Sequence, residues 1–251
     1  MRQILLFMFL LIVTPCAAQA QAGPSDEMFA KVSADRDHYG QVIFTFGDSI
    51  MRGWALAFFP DEATPEQRRS PQWELRSPSS MLRARGFMAV YAGASGQPDE
   101  ADDAAGRIGD LVKRNIIRSG DVVVLEDAGR HNNDPLDYFD NWLKIGMAAR
   151  ASGAKLIMMT IPDAIKADTL GGEPADRYRY SVEFNGLSHN DATSFAANAL
   201  QATLIDYKAL MLAATVPVLH DDGIHPNVAG EEIMVDAIID AVRAPMTARR
   251  Q

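Results

Sequence analysis

Cysteine is almost absent from the 251-residue chain: Cys16 is the only one. No intrachain disulfide can form, and no cysteine cluster can hold zinc. Basic residues are outnumbered, 24 Lys and Arg against 33 Asp and Glu for a net charge of -9. No long Lys/Arg block stands out either, which argues against nucleic acid as a partner. After the first residues no apolar run reaches the roughly 18 to 20 positions a spanning helix needs. Neither of the two long polar segments, Pro60 to Pro78 and Asp163 to Tyr180, contains a repeat or low-complexity run. The histidines His38, His189 and His220 lack ligand spacing, so no zinc-type site is expected. With 47% hydrophobic and 23% charged residues, the composition that remains suits one globular core.

The amino terminus reads differently from the rest. Arg2 is followed by an apolar run from Ile4 to Val13 and then by small residues ending Ala18-Gln19-Ala20. That order is the one of a secretory signal peptide, expected over residues 1–22. Cleavage there would remove Cys16, and the mature protein would be exported, periplasmic or secreted, without an integral membrane segment. Lipidation of Cys16 is the weaker alternative, because Pro15 stands where a small residue is wanted. A polar extension over 23–40, one domain over 41–246 and a short tail over 247–251 complete the expected organisation.

Within that domain, Val42 to Phe46 is a short β-branched and aromatic run stopped by Gly47. Further strands are expected at Ala89 to Ala92, Val122 to Leu125, Lys155 to Thr160 and Thr203 to Asp206. Helices are expected over Leu136 to Ala151, started by Asp134-Pro135, over Asn190 to Leu200, and over Asn227 to Arg243. Alternating strands and helices predict a parallel sheet covered on both faces, a three-layer α/β/α sandwich. Ligands of such sheets sit beyond the carboxyl ends of the strands. Two polar segments, Pro60 to Pro78 and Asp163 to Tyr180, read as long loops near that edge, substrate-shaping or merely surface insertions.

Two motifs carry chemistry. Gly47-Asp48-Ser49 follows the first strand, where glycine permits a tight turn and the serine is presented at the edge of the sheet. The tripeptide is also a common turn and helix-cap combination. Asp222-Gly223-Ile224-His225-Pro226-Asn227 precedes the last helix. An Asp three residues ahead of a His can hydrogen-bond one ring nitrogen and leave the other to accept a serine proton. A helix start with a solvated His explains the same residues without catalysis.

The pairing of Gly-Asp-Ser on the first strand with Asp-x-x-His-Pro before the final helix resembles the SGNH (GDSL-like) hydrolases. The likeness runs from Val42 to the last helix. It implies a flavodoxin-like sandwich, a serine esterase with the triad Ser49, His225 and Asp222, and no metal or organic cofactor. It also implies an oxyanion hole made by the backbone N–H of Ser49, that of Gly96 in Ala94-Ser95-Gly96, and an asparagine after the third strand. At that third position the match departs: the chain reads Glu126-Asp127-Ala128-Gly129-Arg130-His131-Asn132-Asn133-Asp134. Ungapped counting gives His131, and shifts of one or two residues give Asn132 or Asn133. Asn132 is the choice, because a carboxamide donates whatever its protonation. Asn133 and Asp134 also suit a cap for the helix that begins at Pro135. Glu126 and Asp127 are open to pairing with Arg52 or Arg130, or to binding a sugar hydroxyl.

No Gly-x-Ser-x-Gly elbow occurs, which disfavours an α/β-hydrolase. The expected partner is a small-molecule or carbohydrate ester, with an acetyl group on a glycan favoured over a long-chain lipid. An acyltransferase would use the same three residues, and a glycan-binding module on the same scaffold would need none of them. Trp73, Tyr178 and Tyr180 in the two loops offer surfaces for stacking on sugar rings or for simple packing.

Overall fold

The structure is a computed structural model and describes residues 24–52, 77–93, 101–128, 135–161, 187–220 and 225–245. Five short strands form its sheet: β1 Ile43–Phe46, β2 Ala89–Tyr91, β3 Val122–Leu125, β4 Lys155–Met159 and β5 Thr203–Ile205. The order is β2-β1-β3-β4-β5, and every pairing is parallel. Parallel strands are buried on both faces, which is why these segments are nearly continuous apolar runs. Side chains alternate between the faces: Phe44, Val123, Leu125 and Met158 go one way, Ile43, Val122, Val124 and Ile157 the other.

The first face is covered by four helices, α1 Pro24–Ala34, α4 Ala101–Lys113, α5 Pro135–Arg150 and α6 His189–Ala199. They contribute Val32, Ile108, Tyr138, Trp142 and Ala196 to one apolar cluster. The second face is covered by α2 Ser49–Arg52, α3 Pro78–Ala84, α7 Tyr207–Leu212 and α8 Val228–Arg243. Ile50, Met51, Leu82, Met211, Met234 and Ile238 fill that side. Each fully buried large side chain contributes about 1.5 to 3 kcal/mol by leaving water. The three-layer α/β/α sandwich expected from the alternation of strands and helices is thus the observed architecture.

Element boundaries shift from the expected ones by a residue. The stretch 23–40, read as a polar extension, instead contains α1, whose Val32 is fully buried. Arg36, just after it, pairs with Asp121 at 2.5 Å ahead of β3. Met28, Phe29 and Val32 lie on one helical face and bury against the sheet, so a polar composition concealed a docked helix. Ser77 caps α3, accepting from the Ser80 N–H, with Pro78 at its first position. Among the described residues no helix is long and apolar enough to cross a membrane.

The winding places a switch point between β1 and β3. The chain leaves β1 for β2 on one side and returns to β3 on the other, opening a crevice at the carboxyl ends of β1 and β3.

Candidate active site

At that crevice β1 ends with Phe46, and three residues later Ser49 opens α2. The turn between them is held on several sides. Asp48 Oδ1 accepts the Ile50 N–H at 2.9 Å, capping the start of the short helix. The peptide joining Gly47 to Asp48 is bonded at both edges: its carbonyl accepts from the Tyr91 hydroxyl at 2.9 Å, and its N–H donates to Glu126 Oε2 at 3.2 Å. Position 47 must be glycine. A Cβ there would stand 2.5 Å from Glu126 Oε2 and 2.8 Å from Met51 Cβ. The structure describes the backbone of Ser49 and not its side chain.

The second motif lies at the amino end of α8. Asn227 caps this helix, its Oδ1 accepting from the N–H groups of Ala229 and Gly230 at 3.0 and 3.1 Å. Its Nδ2 donates back to the carbonyls of Pro217 at 2.9 Å and Leu219 at 3.3 Å. Leu219 bridges Pro226 in antiparallel fashion, and the His220 N–H meets the His225 carbonyl at 2.9 Å. Residues 219–220 and 225–226 therefore lie side by side, with His225 half-buried at the threshold of α8. Gly230 permits the close approach, because a Cβ there would stand 2.3 Å from the Val218 carbonyl oxygen. Asp222 lies outside the described residues, as do Gly96, His131, Asn132 and Asn133.

After β3, Glu126 is fully buried and continues the ladder, its N–H donating to the Phe46 carbonyl at 3.0 Å. Its carboxylate goes to the Asp48 N–H. Asp127 Oδ1 accepts from the Ala128 N–H at 2.9 Å and from the Tyr138 hydroxyl at 3.2 Å. Asn141 Nδ2 holds the Ala128 carbonyl at 3.2 Å. Both acids thus brace the loops around the crevice. The Arg52 side chain and Arg130, the cations considered for them, are outside the described part.

Beneath the site lies a further acid that sequence reasoning missed. Glu231, in the first turn of α8, is fully buried, and neither carboxyl oxygen meets a hydrogen-bond partner among the described residues. Burial pushes this carboxyl well above its ordinary range. Tyr207 donates its hydroxyl to the Gly230 carbonyl at 2.9 Å. Burial first, then the Glu231 and Glu126 carboxylates, raise the phenol well above its usual value. Helical spacing was the available signal: Glu231 shares a face with the core residues Met234, Val235 and Ile238. Tyr91 was also missed as a site residue, although it lies within the expected strand Ala89 to Ala92 and ends the observed one at the carboxyl edge of the sheet.

No protein-family model matches the sequence, and no curated protein matches it. Solved structures do. A member of the lipolytic G-D-S-L family from Veillonella parvula aligns with TM-score 0.55 at 14% identity, over 80% of this chain and 97% of that one. The psychrotrophic esterase EstA from Pseudoalteromonas sp. aligns with TM-score 0.52 at 14% identity, over 81% and 97%. A catalytic mutant of Axe2, an acetylxylan esterase from Geobacillus stearothermophilus, aligns with TM-score 0.51 at 13% identity, over 84% and 98%. With a parallel sheet of order 2-1-3-4-5, a serine three residues after β1 and a histidine three residues before the last described helix, the chain has the fold of the SGNH (GDSL-like) hydrolases.

Proposed function

We propose that the protein is an exported serine esterase that hydrolyses short acyl esters, O-acetyl groups on glycans foremost. The observation that carries this reading is the position of Ser49 and His225. Ser49 follows β1 at the switch point, and His225 precedes α8, whose core residues share one apolar cluster with Ile50 and Met51 of α2. Both motifs therefore belong to the same layer of the sandwich. The acetylxylan esterase among the structural neighbours supports the choice of acyl group. The signal-like order of Met1 to Ala22 supports export.

Ser49 attacks the ester carbonyl while His225 takes its proton, and Asp222 holds the imidazole and stabilises its cationic form. The tetrahedral oxyanion is met by the N–H of Ser49, the N–H of Gly96 and the Asn132 carboxamide. His225 then gives its proton to the leaving alcohol, and water resolves the acyl-enzyme by the reverse path. The test is release of p-nitrophenol from acetyl and longer acyl esters by the purified protein, beside Ser49→Ala. Chain-length-dependent turnover that disappears in the variant is expected. No turnover by folded protein, or full turnover in Ser49→Ala, contradicts the reading.

A further inference from the structure

We propose that Tyr91 and Glu126 are positioning residues that lock the peptide between Gly47 and Asp48 and so aim the backbone N–H of Ser49. The inference rests on Ser49 being the nucleophile and deepens that reading. Strand β1 lies between β2 and β3. Tyr91 ends β2 and Glu126 follows β3, so the two side chains reach the turn from opposite neighbours of β1.

What they hold is one rigid unit. A peptide group is planar, and here the carbonyl edge takes the Tyr91 hydroxyl at 2.9 Å while the N–H edge gives to Glu126 Oε2 at 3.2 Å. Rotating the plane breaks both bonds together. External restraint is needed at this position, because glycine confers little of its own. The space for the restraint is supplied by glycines as well. A Cβ on Gly47 would stand 2.5 Å from Glu126 Oε2, and a Cβ on Gly93 would stand 2.5 Å from the Tyr91 hydroxyl. Tyr91 is only 5% exposed and Glu126 0%, so bulk water is poorly placed to substitute for a lost bond.

The plane sets the φ of Asp48, and the Asp48 carboxylate on the Ile50 N–H fixes the step that follows. Together they determine where the Ser49 N–H points. Misplacement of a reacting group by about 1 Å costs on the order of a hundredfold in rate, so a loosened plane lowers turnover more than binding.

The test is kcat and KM on a p-nitrophenyl ester for the wild type, Ser49→Ala, Tyr91→Phe, Glu126→Met and Glu126→Gln, each shown folded by circular dichroism. Tyr91→Phe and Glu126→Met are expected to lower kcat about 10- to 100-fold with KM within about threefold of wild type. Glu126→Gln keeps an oxygen that accepts the Asp48 N–H and is expected to restore kcat to within about fivefold of wild type. The double variant Tyr91→Phe/Glu126→Met should lose less than the product of the single losses, since both act on one plane. A merely structural role would lower stability and leave kcat of the folded variants alone. Wild-type kcat in folded Tyr91→Phe and Glu126→Met, beside an inactive Ser49→Ala, overturns the inference and leaves the nucleophile standing. If Glu126→Met does not fold, Tyr91→Phe decides, and a kcat within about twofold of wild type overturns it. No turnover by the wild type, or turnover retained in Ser49→Ala, fails the nucleophile reading and the inference with it.

Discussion

Replacing Glu231 by Gln should flatten the pH dependence of stability. Folding carries this carboxyl from water to a site of 0% exposure, and burial raises it well above its ordinary value of 4.5. Below that value both states hold the proton, and the group costs folding no ionisation. As pH rises past it, the unfolded chain releases the proton while the folded chain keeps it. The native state then binds more protons than the unfolded state, so stability falls as pH rises, with a slope approaching about 1.4 kcal/mol per pH unit. The loss ends once the folded carboxyl itself ionises. Glutamine has a desolvation cost too, but one that does not titrate. Urea unfolding of both proteins between pH 5 and pH 7 therefore reads the slope difference directly, with other titrating groups common to both. Expected is a gap that moves in favour of Glu231→Gln as pH rises. Parallel stability curves would refute the assignment of a buried, protonated Glu231.

Two other substitutions probe the scaffold. Arg36, 7% exposed, pairs with Asp121 and donates to the carbonyls of Ile116 at 2.7 Å and Tyr39 at 2.7 Å; Arg36→Met strands a buried carboxylate and should cost about 3 to 5 kcal/mol in urea unfolding. Because that pair lies at the amino edge of the sheet, ester turnover by the folded variant should stay near wild type, and a large fall in kcat would speak against this separation. Asn227→Ala removes the α8 cap and both bonds to the 217–219 segment. It should cost about 1 to 2 kcal/mol and lower kcat by loosening the His225 loop; unchanged melting and unchanged kcat would show the cap to be dispensable.

The strands were readable because residues such as Val122 to Leu125 are buried on both faces and leave an unbroken β-branched signature in the chain. The last helix was readable from Val235, Ile238, Ile239 and Val242 on one face. Helix α1 was not, because Ser, Asp, Glu and Lys are interspersed with its apolar residues and its contact with the sheet rests on few large apolar side chains. Helix α3 begins at Pro78, the last residue of the segment that reads as a loop, and Ser77-Pro78 is its start signal. At the site, Ser49 and His225 were readable from short motifs whose parts are neighbours in sequence. The grip on Gly47 was not: it joins residues 44 and 78 positions apart through side-chain bonds to backbone, and no local spacing announces such a bond. The bond from the Asp48 N–H to the Glu126 carboxylate is of this kind too, and the pairing with Arg52 or Arg130 that the sequence suggests for Glu126 lies outside the described residues.

The decisive experiment is mass spectrometry of the purified protein after reaction with a fluorophosphonate ester, followed by peptide mapping. A serine made nucleophilic by a neighbouring base displaces fluoride and keeps the phosphonyl group. The account predicts one adduct per chain, located on Ser49, with loss of ester turnover in proportion to labelling and no adduct in Ser49→Ala. An active protein that stays unlabelled, or that carries the group on another residue, would contradict it.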